Sequence, residues 1–273
     1  MNDVSEMTSL RTAAIAVLLF SACAWALVTA TGTRAPQPGS GRTPVLVELF
    51  TSEGCSSCPP ADDLLRRLLQ DQPIEGVEVI AISEHVDYWN RLGWTDPFSS
   101  SHYSDRQSQF AEAFGAGQIY TPQLVIDGRL QVVGSDWPAV RRAVLDAARS
   151  PRASVAVSAA RSPDNRRAVV RVAVQDLPTR APKSALHVMV AIVEDQLITE
   201  VRRGENARRR LQHDAVARGL ASIGSVGETD REGEFVRDIA LQKEWVPGRL
   251  RVVAFLQDES TRRVVGAASA SLK

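Results

Sequence analysis

The first part of the chain alternates between short apolar runs and amphipathic stretches. Residues 45–50 are almost continuously apolar, which is typical of a parallel strand that is covered on both faces. Four leucines then recur at helical spacing between positions 64 and 69, and a second apolar run covers residues 77–82. The pattern therefore predicts a strand, a helix and a second strand in succession.

Further elements follow before position 150. Ser104 and Gln107 have the spacing of a capping box and predict the start of a helix. Two apolar runs on either side of an Asp-Gly pair at 127–128 predict a β-hairpin. Ser135 or Asp136 is then placed to cap a last amphipathic helix. Residues 43–150 are thus predicted to form an α/β domain.

Beyond Pro151 the apolar period changes to two. The alternating segments, which are separated by Gly, Pro, Asp and Asn, are residues 155–157, 170–174, 186–192, 235–239 and 250–256. Alternation of this kind in several short runs predicts a small antiparallel sandwich. We therefore expect a mostly β, sandwich-like C-terminal domain over residues 151–273.

The N-terminus has the pattern of an export segment. Residues 12–29 are apolar apart from small hydroxyl residues and contain no charge. Residues 1–30 are therefore predicted to be a signal peptide or an N-terminal membrane anchor, followed by a linker over residues 31–42. The protein is then extracytoplasmic, either periplasmic or secreted. It contacts a membrane only through this segment, if the segment is not cleaved.

Composition and charge narrow the class of protein. The 273 residues are 44% hydrophobic and 23% charged, which excludes a disordered chain and a polytopic membrane protein. Basic and acidic residues both number 32, so the overall charge gives no reason to expect nucleic acid as a partner. The charge is unevenly distributed, with a net −7 over residues 43–150 and +6 over residues 151–273. An arginine cluster over residues 202–210 is either a solvated loop or a surface that docks against the acidic part.

Two cysteines carry the candidate chemistry. With Cys23 in the leader, only Cys55 and Cys58 remain, and they lie between a predicted strand and a predicted helix. The helix dipole favours the thiolate of Cys55, which would be the nucleophile, and Cys58 would be the resolving thiol. Two alternatives stay open: an inert local disulfide, or half of a metal site.

The order of elements resembles the thioredoxin superfamily, with Cys55-Ser56-Ser57-Cys58 after the first strand and Thr121-Pro122 before the hairpin. The strings VELFTSEGCSSCPPAD, HVDYWNRLGWTDPFSS, YTPQLVIDG and RRGEN are similar to an exported thioredoxin-like family, domain of unknown function 1223. The resemblance implies a thioredoxin-like α/β domain over residues 43–150 and a cis peptide bond before Pro122, beside the dithiol. It also implies that Thr121 binds an extended substrate. Glu48 would shuttle the proton of the second thiol, unless it faces an edge and is solvated.

An aromatic-rich segment at residues 83–103 has three possible roles. It could form a lid over the dithiol, with Tyr88 and Trp89 binding a peptide substrate. His85 could instead join Cys55 and Cys58 in a copper or zinc site. The third possibility is that these aromatic residues form a satellite core.

The sequence as a whole favours an exported thiol-disulfide oxidoreductase or redox sensor. It would act on a thiol or disulfide of another protein through Cys55 and Cys58, without a cofactor. The rival functions are a copper or zinc carrier that uses Cys55, Cys58 and His85, and a non-catalytic interaction module.

Overall fold

A computed structural model describes residues 41–178, 185–227 and 230–273. The predicted leader and nearly all of the predicted linker lie outside these residues. The helices are α1 (Pro59–Asp71), α2 (Ser101–Ala113) and α3 (Trp137–Ala148). The strands are β1 (Thr43–Thr51), β2 (Val77–His85), β3 (Gln123–Ile126), β4 (Leu130–Val133), β5 (Ser154–Arg161), β6 (Arg167–Gln175), β7 (Leu186–Glu194), β8 (Leu197–Glu200), β9 (Arg210–His213), β10 (Val216–Val226), β11 (Gly233–Ala240), β12 (Leu250–Asp258) and β13 (Val264–Ser271). No helix within the described ranges is long and apolar enough to cross a membrane.

One mixed sheet of eight strands organises these elements, in the order β13-β12-β7-β10-β2-β1-β3-β4. β1 and β2 are parallel, and β3 and β4 continue the sheet on the side of β1 in antiparallel pairing. On the other side of β2 lies β10, which is parallel to it, followed by the antiparallel strands β7, β12 and β13. The sheet thus draws strands from both sides of Pro151.

The predicted fold class, an α/β thioredoxin-like domain followed by a sandwich-like β domain, is wrong. The protein is mostly β, and its large sheet runs across the expected boundary. Where strands from the two sides of this boundary pair, Val216 of β10 lies opposite Ser83 of β2, and the Ser83 amide donates to the Ala215 carbonyl at 2.7 Å. The physical reason is that an apolar strand such as β2 is a central strand, which takes a partner along each edge.

The strands of the second half are covered on both faces. In β7, Val190 and Ile192 face a core shared with the three-stranded sheet β11-β6-β5, whereas Ala191 and Val193 belong to the core beneath the helices. β12 divides its side chains between the same two cores. Because both faces are buried, these strands are internal to the molecule and join its two halves.

The helix starts follow local hydrogen bonds. α2 begins at Ser101, with Ser100 as the cap that accepts from the His102 amide, and not at the capping box predicted from Ser104. The Ser104 hydroxyl instead donates to Asp87 Oδ1 at 2.6 Å. The predicted cap at Asp136 is present on α3, where its carboxylate accepts from the Ala139 amide at 3.0 Å.

A buried arginine fixes α2 to the sheet. Arg106 donates to Glu48 of β1 at 2.5 Å and to Gln257 of β12 at 3.0 Å, and its Nε lies 3.4 Å from Glu84 of β2. Burial raises the pKa of Glu84 well above its usual value, and the charge of Arg106 opposes that rise. One guanidinium thus ties three strands and a helix together.

We predict that Arg106→Met destabilises the protein strongly. The substitution leaves two carboxyl groups buried without their cation, and breaking a buried ion pair in this way costs about 3–5 kcal/mol of unfolding free energy. Urea unfolding followed by circular dichroism measures the change. Arg67→Met on the exposed face of α1 is the control, and a loss in the Arg106 variant no larger than in this control would contradict the prediction.

Candidate functional site

The end of β1 leads into a loop that is closed by a disulfide between Cys55 and Cys58. Their Cα atoms lie 5.4 Å apart, and Cys58 is the N-cap residue of α1. Pro59 and Pro60 lie in the first turn of α1, where prolines fit because the amide protons have no partner within the helix. The disulfide therefore lies at the positive end of the helix dipole.

A loop from the second half of the chain, residues 201–209, covers the disulfide loop; we call it the clamp loop. Asn206 of the clamp loop is fully buried and donates to the carbonyl oxygens of Glu53 and Cys55, at 2.8 and 2.9 Å. Glu205 accepts a hydrogen bond from the Ser56 amide at 3.1 Å. Cys55 and Cys58 are both 0% exposed, so the clamp loop and its surroundings separate the sulfur atoms from solvent.

Trp89 connects the disulfide loop with the segment before β3. Its indole N–H donates to Thr121 Oγ1 at 2.9 Å, and the Thr121-Pro122 peptide bond is cis. A Cβ atom placed on Gly54 would lie only 3.0 Å from the Trp89 Cβ, so a glycine allows Trp89 to pack against the residue before Cys55. Trp89, Thr121 and Pro122 therefore lie together at one side of the disulfide loop.

Five ionisable side chains are buried where the two halves of the chain meet. His85 Nδ1 lies 2.7 Å from Asp96 Oδ2, and His213 Nε2 lies 3.3 Å from Glu53 Oε1. Asp62, one turn after Cys58 on α1, lies 3.8 Å from His213 Nδ1. The two imidazole rings are 4.8 Å apart, centre to centre. We call these residues the buried acid-histidine cluster.

Burial and neighbouring charges shift the pKa values of Asp62, His85 and Asp96. Burial raises the pKa of the Asp62 carboxyl, and the charges of His213 and His85 only partly oppose that rise. Burial disfavours the charged form of His85 and by itself would lower the pKa. The interactions of His85 with Asp96 and with the other nearby carboxylates together outweigh burial, so the pKa of His85 is raised above 6.5. For Asp96, burial is outweighed by His85 and by hydrogen bonds, and the pKa is lowered. The cluster therefore favours a protonated His85 beside an ionised Asp96.

Three of the residues singled out from sequence have other partners in the structure. Glu48 is buried and paired with Arg106, which differs from the solvated alternative. His85 directs Nδ1 to Asp96. Within the described ranges no group of three or more His, Cys, Asp or Glu side chains has an arrangement that could hold a metal ion, so the copper or zinc alternative gains no support. Tyr88, predicted to bind substrate, donates to Gln107 at 3.2 Å.

A family described as "Protein of unknown function (DUF1223)" matches residues 46–257. The chain belongs to the DUF1223 family. Among solved structures, protein AGR_C_4864 from Agrobacterium tumefaciens is similar to this DUF1223 chain, with 26% identity and a TM-score of 0.62 over 85% of this chain and 95% of that one. HBP35 of Porphyromonas gingivalis has a TM-score of 0.62 at 12% identity, over 86% and 77% of the two chains, and shows likeness of fold alone. No curated protein matches the chain.

Sequence reasoning missed several residues of the site in this DUF1223 chain. Asn206 and Glu205 lie 151 and 149 residues from their partners on the disulfide loop, so no local pattern links them. Their one signal is the string RRGEN, which contains both residues. His213 and Asp96 also belong to the site, and no sequence motif assigns a role to either of them. Both side chains are buried beside residues that flank the cysteines.

We predict that Asn206→Ala opens the disulfide to reduction. The substitution removes two buried hydrogen bonds that hold the clamp loop to the disulfide loop, at a cost of about 1–3 kcal/mol. Reduction of Cys55-Cys58 by dithiothreitol, followed by alkylation and mass spectrometry, should become faster. Gln118→Ala, which removes an exposed amide elsewhere, is the control. Equal reduction rates for the two variants would show that the clamp loop does not limit access.

We also predict that His85 titrates above pH 6.5 and that Asp96→Asn lowers its pKa, because the variant removes the adjacent negative charge. Since the pKa is raised by folding, the stabilisation by protonated His85 is fully present below pH 6.5 and is lost as pH rises through the raised value. Imidazole chemical shifts measured by NMR across the pH range give the pKa directly. A His85 pKa that is unchanged in the Asn variant would contradict the assignment.

Proposed function

We propose that this protein exchanges disulfides with a thiol or disulfide of another protein through Cys55 and Cys58. The observation that carries the proposal is the position of this pair, at the end of a central strand and the start of α1. The helix dipole favours a thiolate at this position, and the thiolate is the form that attacks. The protein would act as an oxidoreductase or as a redox sensor, without a cofactor.

The proposed exchange needs only the two cysteines and the partner. In the reducing direction, the Cys55 thiolate attacks one sulfur of the partner's disulfide, forming a mixed disulfide and releasing the other partner sulfur as a thiolate. Cys58 then loses its proton and attacks Cys55. This closes the Cys55-Cys58 disulfide and releases the second partner thiol, so the partner gains the two electrons that the cysteine pair loses. The oxidising direction is the same sequence in reverse.

Asp62 is the proposed acceptor of the Cys58 proton. It follows Cys58 by four residues along α1, which puts the two side chains on one face of the helix. Its pKa is raised by burial, so its carboxylate is a stronger base than an exposed aspartate. Glu48, for which the resemblance implied this role, is paired with Arg106.

Trp89, Thr121 and Pro122 are the proposed substrate-binding surface beside the pair. Support comes from the hydrogen bond between Trp89 and Thr121 and from the contact of Trp89 with Gly54. The parallel β1-α1-β2 unit and the antiparallel β3-β4 pair support kinship with the thioredoxin superfamily at the level of these local elements. The proposed place of action is outside the cytoplasm, and it depends on the export segment predicted over residues 12–29.

The burial of both cysteines favours a second candidate function. A disulfide that is 0% exposed at both ends can serve to hold the first turn of α1 in an interaction module without catalysis. Such a disulfide would exchange with no partner. The two functions therefore differ in whether the reduced pair can be trapped with another protein.

We predict that Cys58→Ser accumulates mixed disulfides through Cys55, whereas Cys55→Ser does not. The resolving thiol is absent in the first variant, so the partner stays attached, and the nucleophile is absent in the second. Non-reducing electrophoresis of the full chain, isolated from the exported fraction of its host after acid quenching, measures the adducts.

The double variant Cys55→Ser/Cys58→Ser is the control for nonspecific association. Adducts in neither single variant, together with a native disulfide that dithiol buffers cannot cycle, would refute catalysis and leave the interaction module. Equal adducts in both variants would contradict the assigned roles of the two cysteines.

A further inference from the structure

The clamp loop carries an exposed group of arginines next to the disulfide loop. Arg202, Arg203, Arg208 and Arg209 are all exposed on this loop, and Arg210 follows at the start of β9. The loop is closed at its base by the Arg208 amide, which donates to the Val201 carbonyl at 2.8 Å. The guanidinium groups therefore project from a short loop with a fixed base, and not from an extended tail.

A further exposed arginine lies close to the clamp loop. Gly204, at the tip of the clamp loop, packs against residues 92–94: a Cβ atom placed on it would lie 3.0 Å from the Trp94 Cβ and 3.6 Å from the Leu92 carbonyl oxygen. Gly204 has a φ of +78°, so glycine fits both this contact and the backbone. The contact brings the clamp loop against the segment that contains exposed Arg91.

Few carboxylates neutralise these arginines. Glu200 lies 3.4 Å from Arg210, and Arg209 donates to the side-chain oxygen of Asn206. Among the described residues, the guanidinium groups of Arg91, Arg202, Arg203 and Arg208 take part in no ion pair. We call these four residues the arginine rim. An exposed, unpaired group of like charges creates a positive potential at the surface.

The arginine rim adjoins the exposed part of the disulfide loop. Asn206, which lies among the clamp-loop arginines, donates to the Cys55 carbonyl, and Glu205 accepts from the Ser56 amide. Hydrogen bonding to Ser56 lowers the pKa of Glu205. The amide that follows Cys55 thus already binds a carboxylate of the chain itself, so the place where a partner must approach the cysteines is suited to acidic side chains.

We propose that the arginine rim is a docking surface for an acidic polypeptide segment, and that this segment carries the cysteine with which the Cys55-Cys58 pair exchanges. The docking rests on the exposed arginines and on the carboxylate held by Ser56; the exchange rests on the function proposed above. Arginine forks bind carboxylates in bidentate geometry, and a positive rim increases the rate at which an acidic partner arrives. A polypeptide is favoured over other polyanions because the adjoining chemistry needs a sulfur atom.

The first test compares peptide disulfides of opposite charge. The reduced full-length protein reacts with peptides that carry one cysteine, activated as a mixed disulfide with thionitrobenzoate, within an acidic or a basic sequence. Each rate is divided by the rate with the neutral hydroxyethyl disulfide. We expect the acidic peptide to react roughly tenfold faster than the basic one at low salt, because electrostatic steering increases rates by about 10-fold or more. The ratio should approach one at high salt.

A matched pair of variants locates the effect. The triple variant R202Q/R203Q/R208Q should lose the preference for the acidic peptide. The control R166Q/R171Q/R237Q removes the same number of charges from exposed arginines around the three-stranded sheet. This control should keep the preference for the acidic peptide. Equal rates for acidic and basic peptides in the native protein, or equal losses in the two triple variants, would overturn the docking surface.

A binding measurement separates this proposal from the proposed chemistry. The same peptides with serine in place of cysteine are measured by fluorescence anisotropy against the oxidised protein, where no exchange takes place. Preferential binding of the acidic peptide that is lost in R202Q/R203Q/R208Q supports docking, even if no disulfide reacts and the exchange function fails. Tighter binding to single-stranded RNA or to anionic phosphatidylglycerol vesicles than to the acidic peptide, lost in the same variant, would overturn the assignment of a polypeptide partner.

Discussion

The parallel contact between β10 and β2 determines where the residues of the candidate site lie. At this contact the Ser83 amide donates to the Ala215 carbonyl at 2.7 Å, and it gives β2 a partner on the side that faces away from β1. His213 lies two residues before Ala215, and the clamp loop lies before β9. Because β10 is fixed against β2, both His213 and Asn206 reach the loop that contains the cysteines. The second half of the chain therefore completes the site that the first half begins.

The buried acid-histidine cluster is costly for the fold, since each charged group loses its hydration. Its two histidines lie next to each other, and each lies near at least one carboxylate. Replacing a buried ionic group by apolar residues of similar volume is often neutral or stabilising, so stability alone gives little reason for five such residues. Two members of the cluster lie near the cysteines in the chain: Glu53 is two residues before Cys55, and Asp62 is four residues after Cys58. This placement suits the cluster to the proton transfer that the proposed exchange needs.

Local elements of the first half were predictable from sequence, because their signals are local. The apolar run of β1, the helical leucines of α1 and the cap at Asp136 all appear where the sequence indicates them. Strand pairing was not predictable, since an apolar strand does not specify its neighbour. The alternating pattern of residues 186–192 predicts a strand of an antiparallel sandwich, which has one buried face. Met189, Ala191 and Val193 occupy the intervening positions of β7, whose side chains point to the opposite face of the sheet. Apolar residues on both faces indicate a strand that is covered on both sides.

In the proposed exchange, the clamp loop would connect access to the cysteines with recognition of the partner. A partner sulfur must approach Cys55 directly, yet Cys55 is fully buried, and Asn206 of the clamp loop is bonded to its carbonyl oxygen. The proposed exchange therefore requires the clamp loop to move away from Cys55. A ligand can favour this open state only if it binds the open state more tightly than the closed one. An acidic segment on the arginine rim meets this condition if its carboxylate replaces Glu205 at the Ser56 amide. The displacement breaks one bond of the clamp loop while the arginines gain a partner. Docking and opening would then become a single step, and disulfides that lack acidic neighbours would react more slowly.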